Sequence, residues 1–505
     1  MNKPFSLGTP PDIVDFAEVA LGYRRTAIPP KALKLIAARR ASLEALLAED
    51  SVMYGINTGF GELASQRVSR ESLKSLQVNL IRSHACGVGE PLDDAEACGL
   101  MFARANELAM GNSGVRPVVV KTLSALINKG VIPFIPSKGS VGASGDLAPS
   151  AHMALTMIGE GMAKFAGEEK WRPSAQVLKE AKIKPIELAE KEGLALINGT
   201  QAMKSVGGLA LFEAMNLFHS AVLTGAMSLE ALKGTPTAFD PRIHGLKPHP
   251  GQLGVAEMLL AMLKGSKIRA SHAANDKRVQ DPYSLRCMPQ AMGAARDAID
   301  YALTVFETEL GSVTDNPLVV EGSKRGSIEV ISGGNFHGQA VAFAADFAAI
   351  AITALGNISE RRIAQLVSDF KILPPFLARN PGLESGFMIA HVTAAALCNE
   401  NKILSHPASA DSISTSANKE DFVSMGMNSA LKLSTVVLNV ARIYAIEMMA
   451  AAEGVEFHRP LRSSAAIETA LAKLRKISPA FKGDEVFSGR IEAVAEAILG
   501  GYFVD

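Results

Sequence analysis

Residues 201–232 read QAMKSVGGLALFEAMNLFHSAVLTGAMSLEAL. This Ala-, Leu- and Met-rich run predicts one long helix, apolar around much of its circumference. A helix of that kind needs burial on several sides, and a bundle inside a larger assembly supplies it more readily than a monomer's surface. Stretches 252–264, 288–311, 335–358, 387–404 and 426–453 have the same character, with polar connections at 265–286, 312–334 and 405–425. Glu213, Asn216, His219 and Glu230 interrupt the first helix, and Asp346 and Glu360 a later one, so none reads as a membrane span. Strand-like runs are few, 327–331 among them, and the expected fold is mainly α.

The N-terminal part differs. Residues 30–49 and 71–84 carry helical spacing, but 111–150 is turn-rich, with Gly111, Gly114, Pro117, Gly130, Pro133 and Pro136. Two domains are expected, a mixed, loop-rich one over 1–200 and a long-helix bundle over 201–505. At 505 residues the chain exceeds a single core. Lys plus Arg equals Asp plus Glu at 51 each, so no global field favours nucleic acid or an anionic membrane. Cys86, Cys98, Cys287 and Cys398 are scattered, without a C-x-x-C pair, and read as free thiols of a reducing cytosol. The first ten residues lack an apolar signal core, so a cytoplasmic protein is expected. There is no H-E-x-x-H among the ten histidines, and no metal is expected.

Within the turn-rich part lies Gly139-Ser-Val-Gly-Ala-Ser-Gly-Asp-Leu-Ala-Pro-Ser150, which should run into a helix near Pro149. Its spacing fails as a nucleophile elbow, because Asp146 stands where G-x-S-x-G needs its last glycine. It fails as a phosphate loop because no Gly-Lys-Ser/Thr follows. The tripeptide Ala143-Ser144-Gly145 permits another chemistry. If the Gly145 nitrogen attacks the Ala143 carbonyl carbon, a five-membered ring closes. Loss of the Ser144 hydroxyl then leaves an exocyclic methylene, an electrophile made from the chain. Gly145 suits the inward turn because it has no Cβ. Alone, however, such a tripeptide is most often an ordinary turn.

The other informative residues also lie in connections. They include Tyr54-Gly-Ile-Asn-Thr-Gly-Phe-Gly61, Arg82-Ser-His-Ala-Cys-Gly-Val-Gly89, Asn198-Gly-Thr-Gln201 and Arg278-Val-Gln-Asp-Pro-Tyr-Ser-Leu-Arg286. Ser332-Gly-Gly-Asn-Phe-His337 and Thr415-Ser-Ala-Asn-Lys-Glu-Asp421 complete the set. Each has a plain structural reading. Tyr54 and His84 could be hydrogen-bonded core residues, Arg286 could cap a helix or pair with Asp281, and Glu420 with Asp421 could be a solvated pair.

Together these segments, with Asp315-Asn-Pro-Leu318, Ser385-Gly-Phe-Met-Ile-Ala390, Glu400-Asn-Lys402 and Ser405-His-Pro407, resemble the aromatic amino acid ammonia-lyase family from about residue 10 to the end. The resemblance implies a long-helix bundle of the ammonia-lyase/fumarase-like type. It implies a 4-methylidene-imidazol-5-one group formed from Ala143-Ser144-Gly145, without metal or nucleotide, in a homotetramer whose active sites are shared between subunits. By the same resemblance Tyr54 is the base, while Asn198, Tyr283 and Phe336 line the catalytic centre. Arg286 would take the carboxylate of the amino acid substrate and Gln280, like Asn198, would offer amide hydrogen bonds to the prosthetic ring and substrate, with His84, Glu420 and Met388 around the substrate's side chain. His84 and Glu420 favour an imidazole, and hence L-histidine going to trans-urocanate and ammonia. A tyrosine ammonia-lyase or aminomutase is the alternative, since a histidine in the first position also suits a phenol.

Overall fold

Helices begin where the sequence supplies a cap or a proline. The Asp93 carboxylate accepts from the Glu96 amide while Glu96 accepts from that of Asp93, and this reciprocal box opens the helix Asp94–Ala109. Pro117 and Pro250 each occupy the first turn of a helix, Pro117–Asn128 and Pro250–Leu263, where a missing N–H costs nothing. The computed structural model describes residues 3–48, 58, 69, 72–274, 276, 278–324 and 327–504.

The expected long helices are present as Gln201–Ala231, Pro250–Leu263, Met288–Leu310, Gln339–Ser368, Met388–Leu404 and Gly426–Glu456. Helical spacing at 30–49 and 71–84 corresponds to Pro30–Ala48 and Leu73–His84. Two expectations need correction. Inside the supposedly turn-rich 111–150 lies the helix Pro117–Asn128, because Pro117 starts it and the apolar run behind it is buried. The helix expected over 335–358 starts at Gln339 and continues to Ser368, since the glycines at 333 and 334 hold its start back and nothing breaks it later.

The strands are short. Ile328–Ile331, within the expected 327–331, pairs antiparallel with Leu318–Glu321. Val131–Pro133, Met162–Phe165 and Arg172–Pro173 make a three-stranded antiparallel sheet, and Val88–Pro91 pairs with Pro136–Lys138. A two-residue parallel pair joins Phe5–Ser6 to Thr26–Ala27.

The chain divides into two compact units, one of residues 1–209, 303–345 and 408–431, the other of 210–302, 346–407 and 432–505. Where one boundary near 200 was expected, 303–345 and 408–431 group with the N-terminal residues, because the long helices Met288–Leu310, Gln339–Ser368 and Gly426–Glu456 contribute residues to both units. In the first unit Phe102 packs edge-on against Phe5 at 5.1 Å, with Phe16 alongside. In the second, Glu447 is wholly buried and accepts from Arg362 Nε at 2.5 Å, Ser228 at 2.6 Å and Ser359 at 2.6 Å. That arrangement satisfies a charge that burial would otherwise make very costly.

Gln201–Ala231, Gln339–Ser368 and Gly426–Glu456 are long and apolar enough to cross a membrane, but their most apolar windows are 72%, 67% and 83% buried within the protein itself. Their apolar surface is thus largely spent on packing.

Candidate active site

The tripeptide loop is braced on every side within the first unit. Ser140 Oγ donates to Asp146 Oδ1 at 2.6 Å, and the Met203 amide, in the first turn of Gln201–Ala231, donates to Asp146 Oδ2 at 2.7 Å. Asp146 is fully buried, and burial pushes its pKa up to about 6 against those hydrogen bonds. The Gly142 carbonyl accepts from Ser424 Oγ at 3.0 Å, and the Met425 amide donates to the Val141 carbonyl at 2.9 Å. Ala143 packs with Val423 and Met425 in a small apolar cluster.

Behind the tripeptide runs the segment 198–200. The Gly199 amide donates to the Ser144 carbonyl at 3.3 Å, and the Asp146 amide donates to the Gly199 carbonyl at 2.7 Å, a parallel bridge between Gly145 and Gly199. Gly145 has φ +76°, and a Cβ on it would stand 2.1 Å from the Gly199 oxygen. No other residue fits there without moving the backbone.

Glu420 reaches this loop across the sequence. Its Oε1 accepts from Ser144 Oγ at 2.5 Å, and its Oε2 accepts from Thr415 Oγ1 at 2.8 Å. The Thr415 amide donates to the Glu420 carbonyl at 2.9 Å, closing the turn that presents the carboxylate. His84 ends the helix Leu73–His84, and its Nδ1 lies 2.9 Å from the Leu80 carbonyl. That contact assigns the proton to Nδ1 and leaves Nε2 an acceptor. Burial lowers the His84 pKa, while the Leu80 carbonyl and the charge of Glu420 act in the opposite direction.

Asn198 is buried at the end of the helix Glu192–Ile197, and among the described residues its Oδ1 has no hydrogen-bond partner. Phe336 is half-buried in the connection before Gln339–Ser368, two residues before the Gly338 amide, which donates to the Gly142 carbonyl at 3.3 Å. The first unit thus brings together the tripeptide, Asn198, Phe336, Glu420 and, through the charge of Glu420, His84.

Gln280, Tyr283, Arg286 and Met388 belong to the second unit. There the Arg286 guanidinium sits 4.6 Å over the Tyr283 ring, a cation–π contact that orients the fork. Tyr283 is 70% exposed, and Arg286 Nε is buried without a partner among the described residues. The plain reading of Arg286 as the partner of Asp281 does not hold. Asp281 accepts instead from Arg278 at 3.1 Å and from the Thr235 amide at 2.7 Å. Gln280 is exposed, and Met388 begins the helix Met388–Leu404. Tyr54 lies outside the described residues.

The residues present fit a ring formed from the tripeptide. Among the described residues nothing donates to the Ala143 carbonyl and nothing accepts from the Gly145 amide, the two groups that would join, whereas the flanking Ser144 carbonyl and Asp146 amide are held. The Asn198 oxygen is likewise left for a partner. No group of three or more His, Cys, Asp or Glu among the described residues could hold a metal.

Sequence reasoning missed Ser140, Asp146, Gly199 and Thr415 as the parts that hold the loop and the carboxylate. All four lay inside segments singled out for other members; Ser140 meets Asp146 six residues on and Thr415 meets Glu420 five residues on, while Asp146 also takes the Met203 amide 57 residues away.

Residues 12–476 match the pattern that defines aromatic amino acid lyases. The chain is 51% identical over 504 residues to histidine ammonia-lyase of Sorangium cellulosum, covering 99% of this chain and 98% of that protein. The fold is similar to the crystal structure of histidine ammonia-lyase from Trypanosoma cruzi, with a TM-score of 0.91, 43% identity, and 99% and 94% of the two chains covered. It is also similar to a tyrosine aminomutase from Streptomyces globisporus, with a TM-score of 0.93, 36% identity, and 99% and 98% covered.

Proposed function

The chain belongs to the aromatic amino acid lyase family, and from that premise we propose that it is an ammonia-lyase that removes ammonia from L-histidine to give trans-urocanate. The observation that carries this reading is the Glu420 carboxylate, held at Oε2 by Thr415, with His84 under its charge and with Oε1 turned to Ser144, whose hydroxyl ring closure removes, freeing that oxygen for the substrate. A protonated imidazole carries an N–H on each ring nitrogen. The Glu420 carboxylate and the His84 Nε2 lone pair are both acceptors and can take those two donors, whereas a phenyl ring would leave both groups desolvated and unpaired.

The reaction is difficult because the β-C–H is barely acidic and an amine leaves poorly. When formed, the methylidene-imidazolone at Ala143-Ser144-Gly145 supplies an electrophilic carbon that takes up the amino group and improves its departure. The chain's own residues do the rest. Tyr54 is assigned the β-proton, which a phenolate can accept, and general base catalysis of this kind contributes roughly 10²–10⁴-fold. Arg286 takes the substrate carboxylate in a bidentate fork, its guanidinium 4.6 Å from the Tyr283 ring centre. Gln280 adds an amide hydrogen bond, Asn198 offers its unpaired oxygen, and Phe336 and Met388 exclude water around the substrate.

We place the enzyme in the cytoplasm as a homotetramer with each site drawn from several subunits. Apolar side chains on the long helices support an assembly. Ile389 and Val392 on Met388–Leu404 are 63% and 56% exposed in the single chain. Patches of that kind mark surfaces that meet a partner.

A substrate panel tests the reading. Purified protein is incubated separately with L-histidine, L-tyrosine and L-phenylalanine, and urocanate and coumarate absorbance are followed. Urocanate from histidine alone is expected. Coumarate without urocanate, or a β-amino acid from tyrosine, would overturn it.

A further inference from the structure

The segment behind the tripeptide is held by a cluster of charged and polar side chains that no step of the reaction uses. Arg104, Glu107, Gln201 and Thr314 are all buried, at 0%, 1%, 0% and 2% exposure. Glu107 Oε1 accepts from the Thr314 amide at 2.9 Å, and its Oε2 accepts from Thr314 Oγ1 at 3.0 Å and from Gln201 Nε2. Gln201 Nε2 also donates to Thr314 Oγ1 at 3.2 Å. Arg104 Nη2 donates to Gln201 Oε1 and, at 2.6 Å, to the Asn198 carbonyl. The Thr200 amide is directed at Thr314 Oγ1, 3.4 Å away.

Burying an arginine and a glutamate is expensive, and an apolar filling of the same volume would often be as stable. What the polar version adds is a fixed geometry, and here the geometry falls on Gly199. Its φ is +127°, and a Cβ on it would stand 2.4 Å from Thr314 Oγ1 and 2.8 Å from Gln201 Oε1. Gly199 therefore rests directly on the cluster. On its other side it holds the Ser144 carbonyl and the Asp146 amide, the two groups flanking the bond to be made.

We propose that Arg104, Glu107, Gln201 and Thr314 are positioning residues for the chain's self-cyclisation: by fixing Gly199 they clamp the tripeptide at Ser144 and Asp146 and leave the Gly145 nitrogen and Ala143 carbonyl carbon free to meet. The inference rests on the reading above that a ring forms there. In that ring closure the Gly145 nitrogen bonds to the Ala143 carbonyl carbon. The carbonyl oxygen leaves as water with the protons of the Gly145 and Ser144 nitrogens, and a C=N bond remains between Ala143 and Ser144. A second water takes the Ser144 hydroxyl and its Cα proton, and the freed pair makes the Cα=Cβ bond. No oxidant is consumed. The clamp contributes to the first step, because an amide held by competing hydrogen bonds would have to break them before attacking.

The test weighs the peptide carrying residues 139–150 during a cell-free synthesis time course of the full chain. The wild type is compared with Thr314→Val, Gln201→Leu and Thr314→Ser. The wild type is expected to lose two waters, and so is Thr314→Ser, which keeps the hydroxyl. Thr314→Val and Gln201→Leu are expected to close the ring about tenfold more slowly, equivalent to about 1.4 kcal/mol in the barrier. Their turnover per cyclised chain should equal that of the wild type, which a general loss of structure would not leave intact. Full and equally fast cyclisation in both variants, at wild-type helicity, would overturn the proposal alone. An unshifted mass in the wild type would overturn the proposed function with it. Should either variant fail to fold, Glu107→Gln, which keeps the shape and removes the charge, is expected to slow closure in the same way. Wild-type closure in that variant would count against the clamp.

Discussion

Before ring closure Glu420 is held at both carboxylate oxygens, by the Ser144 hydroxyl on one side and Thr415 on the other; closure removes the first partner and leaves Oε1 for the substrate. Replacing Glu420 by glutamine keeps the shape and removes the charge that acts on His84. Hydrogen bonds to charged groups are worth about 1.5–3 kcal/mol, so Glu420→Gln should lower kcat/KM for L-histidine by roughly tenfold to a hundredfold. Thr415→Val should lower it less, and Thr415→Ser should restore it. Steady-state kinetics on the three variants check the order. Asp146 gives a pH prediction. Its pKa rises from the ordinary 3.8 to about 6 on folding. Between those values the folded chain binds more protons than the unfolded one, so this group's contribution to stability falls as pH rises through that window. Asp146→Asn should flatten that slope, as urea unfolding between pH 4 and pH 6 (the window set by this shift) would report. At this scale Ala143-Ser144-Gly145 stood out because it permits a specific ring and because the segments around it resemble those of one family. The carboxylate's place on Ser144 was not legible, because residues 276 positions apart carry no local signal of their meeting.

The long helices were legible for a different reason. Ala, Leu and Met lose little on entering a helix, and the runs from 201, 288 and 426 contain enough of them to outweigh scattered polar residues. Pro117–Asn128 was hidden because Gly111, Gly114 and Pro117 read as breakers, although a proline in the first turn starts a helix as readily as it ends one. Strands of two to four residues, such as Phe5–Ser6 and Val131–Pro133, are too short for alternation to register. The helix packing itself makes a prediction. Glu447 on Gly426–Glu456 is bonded to Arg362 on Gln339–Ser368 and to Ser228 on Gln201–Ala231. Glu447→Ala leaves the Arg362 charge buried and unpaired, and it should destabilise the fold by about 3–5 kcal/mol, seen as a lower thermal midpoint.

At the scale of the whole molecule, the tripeptide and Glu420 belong to one unit, and Tyr283 and Arg286 to the other. If each site draws these groups from different subunits, two inactive variants should complement. Ser144→Ala and Arg286→Ala, each inactive alone, are expected to regain partial activity when co-expressed, since some mixed sites then carry both intact groups. No recovery would argue for sites built within single subunits. The mainly α class and the bundle were readable because helix pattern is local. The discontinuous units were not, because one continuous boundary is the simplest reading of a change in composition near 200, and the return of 303–345 and 408–431 is a tertiary fact. The claim that joins all three scales is that this chain deaminates L-histidine with an electrophile made from Ser144. Urocanate formation from L-histidine by the wild type and by Ser144→Ala, matched in helicity, measures it directly. Urocanate is expected from the wild type and none above background from Ser144→Ala. Urocanate from the variant at the wild-type rate would contradict that claim.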